Sequence, residues 1–172
     1  MSIEELLRDK EKKVKVKTEI ISKWLLGGSM STDELIFIAE KSKDSAKATC
    51  IEAIEYATKQ NPQIADENVF SFVTKMLSEQ PPRVKSESAR VIGNIAHLFP
   101  GELNKAINNL LINSKDGGIV VRWASAVALG EILKLKTEHN SYLLQEIEAI
   151  YSREKDNGVK KKYLEAIKKA IK

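Results

Sequence analysis

The chain has 172 residues, of which 42% are hydrophobic and 30% charged, and its formal net charge is +4. With only four prolines, this composition is typical of a helical globular protein. The single cysteine excludes an internal disulfide, and Cys50 falls on an apolar helix position, so we expect a buried thiol in a reducing compartment. The sequence has no apolar run of transmembrane length and no secretory leader at its N-terminus, so we expect a cytoplasmic protein without membrane contacts.

In chain order, the first predicted helix pair covers about residues 2–13 and 16–26, and the second begins at residue 32 and continues with a helix near Ala46. Ser2 with Glu5, and Ser31 with Glu34, have the spacing of a capping box, in which a hydroxyl and a carboxylate each satisfy a backbone N–H. These two motifs therefore predict two helix starts.

Three further pairs begin with predicted helices over residues 64–79, 102–114 and 141–154. Breakers separate the predicted helices at Asn61-Pro62, Pro81-Pro82, Pro100-Gly101, Gly117-Gly118 and Asn157-Gly158. We expect Gly117 and Gly118 to end the preceding helix in the left-handed conformation. The chain is therefore predicted to consist of ten helices joined by tight turns.

The second helix of each pair recurs at a fixed interval. Alignment on Val121 gives anchors at Ala46, Val84 and Val159, spaced 37 or 38 residues apart, and a looser copy starts at Val16. Offsets +4, +5, +7, +8, +11 and +12 from the four regular anchors are apolar except at Thr58, Ser88 and Ser125. Such a period predicts a repeat protein. We expect one domain over residues 1–172, with repeats at approximately 1–28, 31–60, 63–99, 102–137 and 140–172.

The second helices resemble those of HEAT repeats, with VRWASAVALGEIL at residues 121–133 and VKSESARVIGNIA at residues 84–96. The basic position of the HEAT pattern falls at Lys47, Lys85, Arg122 and Lys160, with Lys17 in the looser copy; its glycine falls at Gly93 and Gly130, and its aspartate only at Asp44. The resemblance covers most of the chain. It implies an all-α fold, a right-handed α-α superhelix of about five antiparallel helix pairs, whose second helices line a concave face that binds macromolecules.

The five cations at the basic position have two interpretations. They could follow a phosphate backbone, or they could lie over the edge of the core and act structurally. At 100° per residue, their position lies inside the arc that the apolar offsets define, which favours the structural role. The run from Lys160 to Lys162 lies near a helix start, where cations oppose the helix dipole, so helix stability does not explain it.

Offsets +3, +6, +10 and +13 are predicted to point outward from the second helices. Their charges alternate in sign, which favours a protein or peptide partner over nucleic acid. Trp123 is either an interface anchor or a residue packed into a neighbouring repeat. The predicted partner-binding residues are Tyr56, Arg90, Asn94, His97, Trp123, Val127 and Glu131.

No catalytic arrangement stands out from the sequence. His97 and His139 are far apart, and no Cys or His cluster has metal-ligand spacing, so we expect no enzyme, no cofactor and no metal site. The predicted function is a non-catalytic protein-interaction or scaffold module. The alternative is a nucleic-acid-binding protein related to the HEAT-like DNA alkylation repair glycosylases. Those proteins carry aromatic and acidic residues on the concave face, and Trp123 could correspond to one of the aromatic residues.

Overall fold

The computed structural model describes residues 1–171, which contain ten α-helices and no β-strand. The helices are Ile3–Arg8 (α1), Val14–Gly27 (α2), Thr32–Lys41 (α3), Asp44–Gln60 (α4), Glu67–Met76 (α5), Pro82–Ile95 (α6), Asn104–Asn113 (α7), Ile119–Lys134 (α8), Asn140–Arg153 (α9) and Asn157–Ile171 (α10). Three short 3-10 helices lie at Pro62–Ile64, Ala96–Leu98 and Pro100–Glu102.

The even-numbered helices form one continuous row, in which α2 packs on α4, α4 on α6, α6 on α8 and α8 on α10. Each odd-numbered helix packs against the even-numbered helix that follows it, so the odd-numbered helices form a second layer. The side of the row that points away from this layer is called the second-helix face below. The predicted helical solenoid of about five helix pairs is confirmed.

The recurring apolar offsets form the core between the two layers. Ile54, Ile92 and Leu129 all occupy offset +8 in successive repeats and are fully buried. Burial of each such side chain contributes roughly 1.5 to 3 kcal/mol. Cys50 is also fully buried, and this burial raises the pKa of its thiol to about 12, which confirms the prediction of a buried thiol.

Two glycines set how closely neighbouring second helices approach. A Cβ atom on Gly93 would lie 3.6 Å from the Cα of Ala128, and a Cβ atom on Gly130 would lie 3.2 Å from the Cβ of Ala166. The second of these contacts is tighter than ordinary van der Waals contact. The glycine position of the repeat is therefore a packing position between consecutive second helices.

The two predicted helix starts are confirmed, since Ser2 and Ser31 are the N-caps of α1 and α3. The capping box is complete at Ser2 and Glu5, whereas at Ser31 only one of its two hydrogen bonds forms, in which the Ser31 hydroxyl accepts the N–H of Glu34 at 3.1 Å. One expectation about a helix end needs correction. Gly117 and Gly118 do not adopt the left-handed conformation. Gly118 has φ −88 and donates its N–H to Asp116 Oδ1 at 2.8 Å. The Asp116 side chain therefore satisfies this backbone N–H, and the turn forms without a left-handed residue.

The first helix is also shorter than predicted. It ends at Arg8, whereas the sequence predicted a helix over about residues 2–13. The Asp9 carboxylate accepts the backbone N–H groups of Glu11 at 2.8 Å and Lys12 at 3.3 Å. Such a local side-chain acceptor competes with helix continuation. No helix within residues 1–171 combines the length and apolarity needed to cross a membrane.

Candidate functional site on the second-helix face

The cations at the basic repeat position pair with acids of the next repeat. Lys47 Nζ lies 3.7 Å from Glu79 Oε1, Lys85 Nζ lies 3.1 Å from Asp116 Oδ2, and Arg122 Nε makes the equivalent contact with Glu154. These three pairs form a ladder that joins consecutive repeats, so the predicted structural role is confirmed for these cations. The sequence analysis missed the acids, although Glu79, Asp116 and Glu154 all stand five residues before a repeat anchor.

The two terminal repeats use other partners for the same cation. Lys17 Nζ donates to the carbonyl oxygen of Leu7 at 2.9 Å, and Lys160 Nζ lies 4.9 Å from the centroid of the Tyr151 ring. Lys162 Nζ lies 5.6 Å from the centroid of the Trp123 ring. Two members of the lysine run 160–162 therefore lie over aromatic rings, which accounts for their presence near a helix start.

Between α4 and α6 the second-helix face is filled by polar contacts. Arg90 Nη2 lies 3.3 Å from Glu55 Oε1, and Arg90 Nη1 lies 3.6 Å from Glu87 Oε1. Asn94 Nδ2 donates to Glu55 O at 3.2 Å and to Thr58 Oγ1 at 3.1 Å. Arg90 and Asn94 were predicted to bind a partner. In the structure, their side chains instead contact residues of the neighbouring helix α4.

The prediction that offset +3 points outward is wrong in three repeats. Thr49, Glu87 and Ala124 occupy this offset and are all buried. The reason is the close packing of consecutive second helices, which covers offset +3, whereas Lys59, His97 and Lys134 at offset +13 are exposed.

Burial perturbs two titratable groups in this region. The pKa of Glu87 is raised to about 7, first by burial and then by the neighbouring Glu52 carboxylate. The pKa of Tyr56 is also raised, first by burial and then by the carboxylates of Glu52 and Glu55. Tyr56 is half-buried, so it lies at an acidic part of the second-helix face.

Between α8 and α10 the second-helix face opens into a groove of about 210 Å³. Its lining includes the small residues Ala126, Gly130 and Ala166, together with Val127, Glu131, Lys134, Lys162, Glu165 and Lys169. Lys134 Nζ pairs with Glu131 Oε1 at 2.7 Å, and Lys162 Nζ with Glu165 Oε2 at 3.6 Å. The groove thus offers both signs of charge around an apolar centre.

The structure brings three of the seven predicted partner-binding residues to this groove. Val127 and Glu131 line it, and Trp123 adjoins it through Lys162. Trp123 is half-buried and packs against the core, and its role as an interface anchor stays a prediction. His97 is exposed on the 3-10 helix that follows α6. Within residues 1–171, no three His, Cys, Asp or Glu side chains cluster as metal ligands.

No protein-family profile matches the sequence, and no curated protein is significantly similar to it. Solved structures do show the same architecture. Computationally designed armadillo repeat proteins for modular peptide recognition superpose with a TM-score of 0.73 and 18% identity, over 97% of this chain and 80% of theirs. The chain has the fold of armadillo-like and HEAT-like helical repeat proteins.

Two further structures share this helical-repeat fold. The complex of CpcE and CpcF of phycocyanin lyase from Nostoc sp. PCC7120 has a TM-score of 0.70 and 17% identity, over 95% of this chain and 96% of that chain. A designed armadillo repeat protein in complex with the peptide (KR)4 has a TM-score of 0.58 and 13% identity, over 98% and 97% of the two chains. At these sequence identities, the similarity to the solved structures establishes the fold alone.

Proposed function

We propose that this helical repeat protein is a non-catalytic interaction module that binds an extended peptide segment of a protein partner across its second-helix face. The observation that carries the proposal is the groove between α8 and α10, where Val127 is only partly covered between Glu131 and Lys162. An apolar centre with a charged rim is the usual anatomy of a protein interface.

The mixed charges of the groove favour a peptide over nucleic acid. Glu131 and Glu165 line the groove together with Lys134, Lys162 and Lys169, so the lining lacks the continuous row of positive charges that a phosphate backbone favours. A peptide that carries both signs of charge would instead be held in one register. The designed armadillo neighbours, which are described for peptide recognition, support the same type of ligand.

We infer that the second-helix face is the concave face of the solenoid and that the seven predicted residues contribute unequally to binding. Val127 and Glu131 line the binding groove, and Trp123 adjoins it through Lys162. Tyr56 on α4 and His97 after α6 lie outside the groove lining, whereas Arg90 and Asn94 act chiefly by fixing α6 on α4.

The test begins with selection of binding peptides from a displayed random library, followed by fluorescence anisotropy with a labelled selected peptide. Val127→Glu should weaken binding at least tenfold, because it places a charge in the apolar centre of the groove. Val120→Glu is the matched control, since Val120 is 67% exposed at the start of α8, outside the lining of the groove, and should leave binding unchanged.

Equal affinity of Val127→Glu and the unmodified protein would contradict the proposed groove. A titration with a labelled DNA duplex at low and high salt tests the alternative function. Tight binding that falls steeply with salt would favour nucleic acid, and the peptide proposal predicts no such binding.

A further inference from the structure

A second open hollow lies away from the groove of the proposed function, where the turn after α7 meets the turn after α9. Its volume is about 400 Å³, and it is lined by Ser114, Lys115, Asp116, Arg122, Arg153, Glu154 and Lys155. Four of these residues are cations and two are carboxylates.

Both carboxylates are already neutralised within the ladder. Glu154 accepts hydrogen bonds from Arg122 Nε at 3.1 Å and Arg122 Nη2 at 3.4 Å. Asp116 pairs with Lys85 at 3.1 Å and accepts the N–H of Gly118 at 2.8 Å. Arg122 also donates to the carbonyl oxygen of Asp116 at 3.0 Å, so all three nitrogens of this guanidinium donate within the fold.

The remaining three cations, Lys115, Arg153 and Lys155, are exposed, and none has a carboxylate within 4.0 Å among residues 1–171. Arg153 is nevertheless positioned, because its Nη2 donates to Ser114 Oγ at 3.0 Å. Ser114 itself is 3% exposed, so the guanidinium is anchored to a fixed point. The hollow thus gathers three uncompensated positive charges, one of them held in place.

The ladder does not require these cations. At the equivalent junction two repeats earlier, Glu79 is flanked by Ser78 and Gln80, whereas Glu154 is flanked by Arg153 and Lys155. The Lys47 and Glu79 pair forms there without flanking charges. The cluster is therefore an addition to the repeat and not a condition of its stacking.

The hollow continues into a groove of about 460 Å³ between α7 and α9, with which it shares Ser114, Lys115 and Arg153. This groove also contains Ile112 and Tyr142, which are 68% and 53% exposed. An anion bound at the three cations would thus have an exposed apolar surface beside it.

We propose that the hollow formed by Lys115, Arg153 and Lys155 binds the dianion of a phosphate monoester, either free or carried on a phosphorylated side chain. The arginine offers a planar fork of donors, and each lysine supplies a mobile point charge. A compact anion with two charges and three acceptor oxygens matches this set of donors. The apolar groove beside the hollow would receive a neighbouring side chain of a phosphorylated segment.

The experiment is a titration of the isotope-labelled protein followed by amide NMR. The probes are inorganic phosphate, a short peptide with phosphoserine followed by leucine and phenylalanine, and the same peptide without phosphate. We expect saturable shifts at residues 114–118 and 153–156 with both phosphate-bearing probes, and none there with the third. Lys155→Gln and Arg153→Gln should each weaken binding at least fivefold.

Lys161→Gln is the matched control, since Lys161 is an exposed lysine outside the lining of the hollow. Lys155→Gln is expected to fold normally, because the Lys155 side chain makes no hydrogen bond or ion pair within residues 1–171. A loss of binding in this variant therefore reports on the site and not on misfolding. The peptide also tests the pH dependence. The second pKa of a phosphate monoester is about 6, so phosphopeptide binding should weaken between pH 7.5 and pH 5.5.

The two sources of the phosphate are separated by affinity. A phosphopeptide that binds at least tenfold more tightly than free phosphate, and loses this advantage with Tyr142→Ala, assigns the site to a phosphorylated side chain. Equal affinities assign it to a free monoester. The proposal is overturned if no saturable shift occurs, or if Lys155→Gln and Arg153→Gln bind phosphate like Lys161→Gln. Neither result bears on Val127→Glu, so this site and the peptide groove can fail independently.

Discussion

Arg122 Nε lies 3.1 Å from Glu154 Oε2, and Arg122 Nη2 lies 3.4 Å from Glu154 Oε1, so this ion pair of the ladder between repeats is bidentate. The Glu154 side chain is only 4% exposed, and that of Arg122 is 19% exposed. Arg122→Met should therefore destabilise the protein by about 2 to 4 kcal/mol, because it leaves a buried carboxylate without its partner. Urea unfolding followed by circular dichroism measures the change.

Lys134→Met provides the control for the Arg122 variant. Lys134 pairs with Glu131 at a similar distance of 2.7 Å, but the two side chains are 37% and 43% exposed. Exposed pairs contribute at most about 1 kcal/mol, so this variant should unfold close to the unmodified protein. Equal losses in the two variants would show that burial of the Arg122 pair has no energetic consequence.

Gly130 has a stricter packing requirement than a helix position normally has. A Cβ atom there would meet Ala166 Cβ at 3.2 Å, and a longer side chain would have to separate α8 from α10. Gly130→Leu should lower the free energy of unfolding by about 1 to 3 kcal/mol through overpacking, and it should also narrow or distort the groove between these helices.

The comparison for Gly130 is Gly27→Ala at the end of α2. Nothing lies within 4 Å of a Cβ atom on Gly27, and the left-handed glycine is its neighbour Gly28, at φ 79. Alanine at Gly27 should raise stability by up to about 1 kcal/mol through helix propensity. A loss of stability at Gly27 would contradict the packing explanation for Gly130.

The repeat architecture could be predicted from the sequence because burial recurs with a regular period. The anchors Val84, Val121 and Val159 are all buried as expected. The binding residues were harder to predict, since a helical wheel treats each helix alone. It cannot show that Glu87 turns toward α4 or that Asn94 donates to the carbonyl oxygen of Glu55, because both depend on the spacing between helices.

The turns were less predictable than the helices, for a related reason. Gly117-Gly118 suggested a left-handed helix end, but the Asp116 side chain supplies the hydrogen bond that closes this turn. The same aspartate pairs with Lys85 of the preceding repeat. Its position five residues before Val121 would have been visible only by searching for acids at a constant distance from the anchors.

Glu87 should make stability depend on pH. Its pKa is about 7 in the folded protein and about 4.3 to 4.5 in an unfolded chain. Since the folded state holds the proton more tightly, the contribution of Glu87 to stability is fully present below pH 4.5 and is lost as the pH rises through about 7. Glu87→Gln should remove this loss and be more stable than the unmodified protein at pH 8.

The size of the Glu87 effect follows from about 1.4 kcal/mol for each unit of pKa, which sets an upper limit of about 3.5 kcal/mol. Thermal unfolding at pH 4.5 and pH 8 measures it, with Glu165→Gln as the control. The Glu165 side chain is 47% exposed, so its variant should show no comparable gain at pH 8. A gain of equal size in both variants would mean that net charge, and not the burial of Glu87, is responsible.

Trp123 and Val127 should separate stability from binding. Trp123 packs against the core while Lys162 lies over its ring, so Trp123→Ala should lower the free energy of unfolding by about 1 to 3 kcal/mol as well as weaken peptide binding. Trp123→Phe retains an aromatic ring under Lys162 and should recover most of the stability and most of the peptide affinity.

Val127→Ala removes only a partly covered side chain from the groove, so peptide binding should weaken while the free energy of unfolding in urea changes by less than about 1 kcal/mol. If Val127→Ala instead lost stability like Trp123→Ala, Val127 would belong to the core, and the groove between α8 and α10 would lose its apolar centre.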